Sequence, residues 1–122
     1  MHVFKVFKEL DKTGLLLASS IVTPPTIYTP GEEWSDPDAP AFAFSSIVYA
    51  RAFALPAAHE VWLCEAPEVH QVERVIAPQL IHAIPRNDLV AWWRDLRHDM
   101  ATTPVPFGTL VCPTITPIKD VT

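Results

Sequence analysis

The N-terminal part of the chain alternates its side chains with a period of two, which is typical of β-strands. Residues 2–8 form one such run, and residues 15–22 are apolar enough for a second, buried strand. Residues 11–14 lie between them and have the composition of a turn, with Gly14 suited to a positive φ. Residues 2–22 are therefore predicted to form a β-hairpin.

Apolar residues at helical spacing indicate two further segments. Residues 47–55 follow Ser46, a good N-cap, and Pro56 stops them. Residues 88–101 follow Asn87, which is predicted to be the second N-cap. The apolar stripe of this second segment consists of Leu89, Trp93, Leu96 and Met100. Its spacings of four, three and four predict a helix with one face in the core.

Prolines and short apolar runs divide the rest of the chain. Residues 60–66 are the best candidate for a central strand, and residues 34–40, with two acids and two prolines, are predicted to form an exposed loop. Further short strands are predicted within residues 27–28, 41–44, 69–84 and 109–118. This order of elements predicts an α+β fold, in which two helices pack on a mostly antiparallel sheet.

The chain has 122 residues, the size of one domain, and 49% of them are apolar. We therefore expect a single α+β domain that spans residues 1–122. The formal net charge of −5 argues against nucleic-acid binding, which needs clustered Lys and Arg. No signal-peptide pattern is present, and no apolar run reaches the ~20 residues of a membrane helix. The expectation is a cytoplasmic protein without a membrane partner.

Two cysteines, Cys64 and Cys112, are too few for the disulfide framework of a small secreted domain. Both lie in apolar segments, where a free, buried and inert thiol is the usual state. The alternative is a Cys64–Cys112 bridge, which requires that the two strands are neighbours.

The sequence lacks the common catalytic and cofactor motifs. Its three glycines, Gly14, Gly31 and Gly108, are too far apart for a phosphate-binding loop. The five histidines have no metal-ligand spacing, and the serines have no nucleophile context. No catalytic residue, cofactor or metal site is therefore predicted. The alternative is a site assembled only by the fold, for which His59 and Glu65 are the candidates.

Aromatic and cationic residues are the candidates for a binding site. Tyr28 and Trp34 flank a proline-glycine turn, Arg51 lies on the first predicted helix, and Trp62 lies on the central strand. Aromatic faces together with an arginine can stack a base and hold a phosphate. We therefore predict that these four residues bind a nucleotide-like small molecule. The alternative is that Trp34 pins its loop to the sheet and Trp62 fills the core.

Trp92 is the candidate for an interface between copies of the chain. Neighbours on a helix are about 100° apart, so Trp92 and Trp93 cannot both enter one narrow core seam. With Trp93 in the core, Trp92 turns to the flank, where a symmetric partner could bury it. A homo-oligomer, most simply a dimer, is the prediction. The alternative is that the proline-rich residues 103–107 cover Trp92 within one chain.

Four short segments carry a resemblance to known proteins. They are Tyr28-Thr29-Pro30-Gly31-Glu32-Glu33-Trp34, Phe42-Ala43-Phe44-Ser45-Ser46 with Ala50 and Phe53, Glu60-Val61-Trp62-Leu63-Cys64-Glu65, and Gly108-Thr109-Leu110-Val111-Cys112. In this succession the chain resembles a family of short uncharacterised proteins that occur in bacteriophages and in bacterial genomes, often as prophage genes. The resemblance implies an accessory protein and supplies no catalytic residues.

A more distant likeness concerns one part of the chain. The strand at residues 42–44, the helix that bears Ala50 and the strand at residues 61–65 resemble one segment of ADP-ribosyltransferase-like folds. The His, Tyr and Glu signature of that activity is missing from the matching strands. The likeness therefore implies a retired nucleotide pocket at most.

Three functions from different classes follow. The first is a non-enzymatic small-molecule-binding accessory protein of the phage or prophage type, which sequesters a nucleotide-derived host signal and so counteracts a host defence. The second is a protein-interaction module that inhibits a host protein through an acidic, aromatic surface. The third is a transferase or hydrolase that acts on a nucleotide.

Overall fold

The computed structural model describes residues 1–10, 14–18, 22–23, 26–54, 59–76, 84–94 and 101–122. In this part of the chain the fold is the predicted α+β fold, with two helices and a large, mainly antiparallel sheet. The strands are β1 (His2–Leu10), β2 (Leu15–Ala18), β3 (Val22–Thr23), β4 (Ile27–Tyr28), β5 (Trp34–Ser35), β6 (Ala41–Phe44), β7 (Glu60–Glu65), β8 (His70–Gln71), β9 (Arg74–Ile76), β10 (Ile84–Pro85), β11 (Thr102–Pro104), β12 (Thr109–Cys112) and β13 (Thr114–Asp120). The helices are α1 (Ile47–Phe53) and α2 (Arg86–Trp93).

The main sheet has nine strands, with β7 and β1 near its centre. Seven of them follow the order β5-β13-β7-β1-β6-β12-β8, while β2 pairs with the C-terminal part of β1 and β4 pairs with β2. Strand β7 pairs with β1 from His2 to Phe7 and with β13 on its other edge. The predictions of a first hairpin at β1 and β2 and of a central strand at β7 are therefore confirmed.

The second edge of β1 is shared by two strands that do not pair with each other. Phe4 pairs with Phe44 of β6, whereas the residues from Phe7 to Leu10 pair with β2. Between Phe4 and Phe7, no strand in the described part of the chain pairs with this edge. The sheet therefore has a gap between β1 and β6.

Two small ladders lie beside the main sheet. Strands β3 and β10 pair in parallel through Val22 and Ile84, and β9 pairs antiparallel with β11. Val22 was expected to end the first hairpin, but its partner is Ile84. The hairpin prediction is therefore wrong at Val22, because this residue pairs with β10 and not with β1.

Apolar side chains form three clusters around the sheet. The inner cluster lies on one face and consists of Val3, Phe7, Leu16, Tyr28, Ala41, Ala43, Cys64, Ala66, Leu110, Cys112 and Ile115. The α1 cluster consists of Val6, Phe44, Ala50 and Val61, and the α2 cluster of Ala39, Val75, Ile76, Ile84 and Leu89. Strand alternation explains the division, because neighbouring residues such as Ala43 and Phe44 point to opposite faces of the sheet.

Helix α1 forms as its sequence predicts. The Ser46 side chain accepts a hydrogen bond from the backbone N–H of Tyr49 at 3.4 Å, which is an N-cap. Ala50 is fully buried, with Ile47 and Ala54 packed on the same cluster, while Arg51 is exposed. The helix therefore turns Ile47, Ala50 and Ala54 to the sheet and Arg51 to the solvent.

Helix α2 begins and ends earlier than predicted. Its N-cap is Pro85 rather than Asn87, because Pro85 is held extended in the ladder with β3 and the helix starts at the next residue. The described helix ends at Trp93, and Thr102–Pro104 forms strand β11 rather than following a helix that reaches residue 101. Leu96 and Met100 of the predicted stripe lie outside the described residues.

Residues 34–40 are not the exposed loop that their acids and prolines predict. Trp34 pairs with Ile115 as part of β5, and Ala39 and Pro40 are buried. Strand pairing and ion pairs to α2 hold this segment against the protein. Hydration of the acidic side chains is therefore not what determines the position of residues 34–40.

The predicted strand at residues 109–118 is two strands. Strand β12 pairs with β6 and β8, whereas β13 pairs with β7 and β5. Pro113 lies between them, because it has no N–H to continue a ladder. The chain changes neighbours at this proline.

Candidate functional site

Lys5 is a buried lysine in the middle of β1. Its side chain lies on the same face of the strand as Val3 and Phe7, and only 4% of Lys5 is exposed. Lysines are almost never buried to this extent unless they are paired. The surroundings of Lys5 therefore define the candidate site.

The ammonium group of Lys5 occupies the gap between β1 and β6. Its Nζ donates a hydrogen bond to the backbone oxygen of Phe42 at 2.5 Å. The same atom lies 5.4 Å from the ring centre of Tyr28 and 5.8 Å from that of Phe7, so both rings offer a cation–π attraction. An ammonium has three N–H donors. Within the described residues only the Phe42 oxygen accepts from it, and no carboxylate forms an ion pair with it.

Burial shifts the acid–base equilibria of this region. Loss of hydration lowers the pKa of Lys5 to about 8, against a weaker opposing effect of Cys64 and Cys112. Burial also raises the pKa of the Cys64 thiol to about 12 and that of the Cys112 thiol to about 11. Lys5 is therefore partly neutral at physiological pH, while both thiols keep their protons.

The cysteines are free and buried, as the first of the two sequence interpretations predicts. Both belong to the inner cluster, and no bridge joins them. Their raised pKa values remove the thiolate that nucleophilic chemistry needs. The reactive group of this region is therefore the amine of Lys5.

A cavity of about 200 Å³ adjoins the gap. Its lining residues are apolar apart from Thr103, Thr109 and Lys5, and Lys5 is the only one with a cationic side chain among the described lining residues. The hydroxyl of Thr109 is already donated to the backbone oxygen of Pro106 at 2.6 Å. The buried part of the lining includes Lys5, Val6, Ala43, Phe44, Val75 and Ile84, and the exposed part includes Phe53, Pro104 and Pro106.

The volume of this cavity, called the Lys5 cavity below, limits what can enter it. A dry apolar cavity of ~150 Å³ accommodates benzene, whereas pockets for drug-sized ligands measure ~300–1,000 Å³. The Lys5 cavity of about 200 Å³ therefore fits one aromatic ring or a short alkyl chain with a small polar group. A whole nucleotide exceeds this volume.

A second cavity of about 440 Å³ shares the lining residues Val105, Pro106 and Thr109 with the Lys5 cavity. Its lining includes Tyr49, whose ring packs edge-on against that of Phe107 at 5.1 Å, together with Gln71 and Glu73. Within the described lining it has a carboxylate and no Lys or Arg. This cavity is therefore poorly suited to a phosphate or another anion.

The structure brings three of the four predicted binding residues to one cluster. The rings of Tyr28 and Trp34 lie 5.1 Å apart, and Trp34 and Trp62 both pack on the inner cluster. The indole N–H of Trp62 donates to Glu60 at 3.1 Å. Tyr28 is 3% exposed, so its ring face is covered by the protein itself.

Arg51 is not part of that group. It lies on α1, which packs on the opposite face of the sheet, and its guanidinium donates to the backbone oxygen of Val121 at 3.1 Å. The structure therefore does not bring the arginine to the aromatic residues. None of the four predicted residues lines the Lys5 cavity.

Trp92, predicted to lie in an interface, is half-buried within one chain. It packs on the α2 cluster together with Val90 and Val105. The ring of Trp93 lies 5.9 Å from that of His70, edge-on, and no cluster includes it. The expected arrangement, with Trp93 in the core and Trp92 on the flank, is therefore reversed. Trp92 and Trp93 lie three and four positions after buried Leu89, so both are near its face of the helix. The fold turns Trp92 inward.

Two ion pairs join the segment after β5 to helix α2. Arg86 contacts Asp36 at 2.6 Å, and Arg94 contacts Asp38 at 3.0 Å. Partial loss of hydration opposes ionisation of Asp36, but the hydrogen bond and charge of Arg86, together with hydrogen bonds from the backbone of Asp38 and Ala39, outweigh it and lower the pKa of that carboxyl. These two pairs, called the α2 latch below, give the acids of residues 34–40 a structural role.

His59 and Glu65, the candidates for a fold-assembled catalytic site, lie at opposite ends of β7. His59 precedes the strand and Glu65 is its last residue. Six residues of extended strand separate their Cα atoms by about 20 Å. The two side chains therefore do not meet in one site. Among the described residues there is also no cluster of three His, Cys, Asp or Glu side chains that could hold a metal ion.

Lys5 is not among the site residues predicted from the sequence, although the strand pattern contains a signal for it. Residues 3, 5 and 7 share one face of β1, and two of them are apolar. A lysine between Val3 and Phe7 means either that this face of the strand does not point inward or that the lysine side chain is buried. The gap that admits its side chain depends on where β6 and β2 pair with β1, and no local pattern encodes that.

Comparisons with known proteins identify no relative of the chain. A scan against protein-family models and searches of curated proteins and of solved structures find no match to the chain. Neither helix in the described part of the chain is long and apolar enough to cross a membrane. The class of the protein is therefore argued from its fold and its site alone.

Proposed function

We propose that the protein binds a small, mainly apolar molecule that carries one anionic or strongly accepting group, and that it does so in the Lys5 cavity. The observation that carries this proposal is that Lys5, a buried lysine, is one of the lining residues of a mainly apolar cavity. Such a site has the usual composition of a small-molecule site, which is apolar with a few polar groups that fix orientation.

The chemistry of recognition follows from the N–H donors of Lys5 for which the described residues offer no acceptor. A carboxylate in the cavity would accept the N–H groups that Phe42 does not use and would neutralise the buried charge. Its ring or chain would lie against Phe42, Phe44 and Ile84. Because the anion favours the charged amine, its affinity should fall as the pH rises above about 8, the pKa of Lys5.

This proposal retains the small-molecule-binding accessory protein that the sequence suggests and restricts the size of its ligand. We propose a cytoplasmic, non-enzymatic accessory protein of the phage or prophage type, which sequesters a small host-derived molecule. A nucleotide-derived signal fits the cavity of about 200 Å³ only through its base or a group of similar size. A small aromatic or short-chain acid fits it entirely.

Calorimetry with benzoate tests the proposal, with benzyl alcohol and adenosine monophosphate as comparison ligands. We expect benzoate to bind with a Kd below about 1 mM, which corresponds to a binding free energy more favourable than about −4 kcal/mol. The two comparison ligands should bind more weakly. Lys5→Met should abolish benzoate binding. Lys8→Met is the matched control, because Lys8 lies on the same strand and is exposed. Equal binding of benzoate and benzyl alcohol, or no binding of either, contradicts the proposal.

A protein-interaction role is the second candidate. The observation that favours it is Phe107, which is 79% exposed beside the half-buried Tyr49. Exposed aromatic residues of this kind are frequent anchors in interfaces. Phe107→Ser should then abolish binding of a stoichiometric partner, while Lys5→Met leaves it unchanged. The reverse pattern rejects this role.

A further inference from the structure

We propose that Lys5 forms a reversible imine with the carbonyl group of a small aldehyde or ketone held in the cavity. The proposal rests on the proposed function, because it assumes that a ligand enters the Lys5 cavity. It goes further by naming a covalent bond, the atom that forms it and the chemical class of the ligand.

The hydrogen bonding around Nζ suits an iminium better than an ammonium. An ammonium has three N–H groups and finds one acceptor among the described residues, the Phe42 oxygen at 2.5 Å. A protonated imine has a single N–H, which that oxygen can accept. Imine formation therefore removes the two N–H groups for which the described residues offer no acceptor and puts a bond to carbon in their place, and a buried donor without an acceptor is unfavourable.

The protonation of Lys5 supports the same chemistry. Only the neutral amine has the lone pair that attacks a carbonyl carbon. With a pKa of about 8, about one Lys5 in ten is neutral at pH 7, against fewer than one in a thousand for an ordinary lysine. Lysines that burial shifts in this way are the ones that proteins use for imine chemistry.

The reaction balances without an oxidant or a further reactant. The Nζ lone pair attacks the carbonyl carbon and forms the C–N bond, while the carbonyl π electrons move to oxygen. A proton passes from nitrogen to that oxygen and gives a carbinolamine. A proton from the solvent, equivalent to the one that Lys5 releases when it becomes neutral, joins the departing hydroxyl group; the C–O bond breaks, one water is released, and the nitrogen keeps its last hydrogen as the protonated imine C=N⁺–H. The apolar lining of the cavity opposes the return of this water.

The cavity also defines the group that the carbonyl carries. One ring or a short alkyl chain fills a volume of about 200 Å³. Phe42 and Phe44 on one strand and Val75 and Ile84 on the neighbouring ladders offer apolar surface to it. Aromatic aldehydes, short alkyl aldehydes and methyl ketones meet these requirements.

Reductive trapping with benzaldehyde tests the proposal on the intact chain. The protein is incubated with benzaldehyde near pH 7.5, reduced with sodium cyanoborohydride, and mapped by peptide mass spectrometry with fragmentation. We expect one benzyl group at Lys5, formed saturably and suppressed at least tenfold by excess benzoate. The α-amine and the exposed Lys8 react without saturation, and benzoate does not protect them.

The outcomes separate this proposal from the proposed function. Saturable labelling of Lys5 that benzoate suppresses supports both. Benzoate binding in calorimetry without preferential labelling of Lys5 overturns the imine and leaves the binding function standing. Absence of both overturns both. Site mapping in the unaltered protein makes the result independent of whether Lys5→Met folds, and Lys5→Arg provides a second variant that keeps a cation but forms no imine.

Discussion

Two regions of the molecule hold cations in opposite ways. In the α2 latch, Arg86 and Arg94 are each paired with a carboxylate and are 39% and 52% exposed at their side chains. In the gap between β1 and β6, Lys5 is 4% exposed and has a backbone oxygen and two aromatic rings as its described partners. Each arginine of the latch has a carboxylate partner, whereas among the described residues Lys5 finds one hydrogen-bond acceptor for its three N–H groups. The first arrangement is that of a stabilising ion pair, and we propose that the second serves the binding of a ligand.

The largest effect should come from reversing the charge in the gap. Lys5→Glu places a carboxylate against the Phe42 oxygen and two ring faces, with no described donor. We expect a loss of about 3–5 kcal/mol in the free energy of unfolding, typical of an uncompensated buried charge. Urea unfolding measures it, and Lys8→Glu at an exposed site of the same strand should stay within about 0.5 kcal/mol. Equal losses for both variants would mean that the gap is open to water.

The second effect concerns pH. Lys5 binds its proton with a pKa of about 8 in the folded chain and 10.5 in the unfolded chain. Below about pH 8 both states are protonated, and the folded state carries the whole cost of burying the charge. Between about pH 8 and 10.5 the folded state releases the proton first, so that cost disappears. The stability of the protein relative to Lys5→Met should therefore rise by about 3 kcal/mol across this window.

Denaturant titrations of both proteins at pH 7 and pH 10 measure this difference. Ionisation of the thiols of Cys64 and Cys112 lowers stability in the same pH range, because their pKa values are raised in the folded state. This contribution is common to both proteins and cancels in the comparison. A difference that stays constant with pH contradicts the buried ammonium.

The third effect concerns α2, which carries Arg86 of the latch and also Trp92. We propose that the protein forms a homodimer through this side of α2. Sedimentation velocity at high micromolar concentration should then show a species of twice 13.6 kDa, and Trp92→Ala should weaken the dimer by about 2 kcal/mol or more. Trp92 already packs with Val105 in one chain. If only the monomer is found, this packing accounts for the burial of Trp92.

The smallest effects should come from the latch itself. Asp36→Asn removes a partly buried pair and should cost about 1 kcal/mol at low salt, while Asp38→Asn should cost a few tenths. Because Asp36 has a lowered pKa when folded, its contribution should be lost as the pH falls through that pKa. Urea unfolding at low and high salt measures both variants. Neither substitution should change benzoate affinity, which keeps the latch and the Lys5 cavity distinct.

The fold could be predicted where local rules decide it. Ser46 before apolar residues at helical spacing predicted α1, and the alternation around β1 and the apolar run of β7 predicted the centre of the sheet. Pro113 separates β12 from β13, as a proline within an apolar run can. Whether such a proline forms a bulge in one strand or separates two strands with different partners depends on which strands β12 and β13 pair with. That is a long-range property.

The candidate site could be predicted less well, for the same reason. Aromatic residues and an arginine suggested a ligand, but the fold packs Tyr28 into the core and puts Arg51 on the other face of the sheet. The amine of Lys5 gains its properties from Phe42, 37 positions away along the chain, and from the gap beside it. Its type and position were visible in the sequence, whereas its burial was set by tertiary structure.

The split edge of β1 has a consequence for self-association. Unpaired backbone groups in a sheet invite an incoming strand, and natural sheets protect such sites with inward-pointing charges. Lys5 stands at this opening, with its ammonium on the Phe42 oxygen that an added strand would use. We therefore expect that Lys5, which we propose as the ligand-binding residue, also protects the sheet against edge-to-edge aggregation. Its replacement by an apolar residue should make the protein more prone to form β-aggregates even where the folded state is as stable.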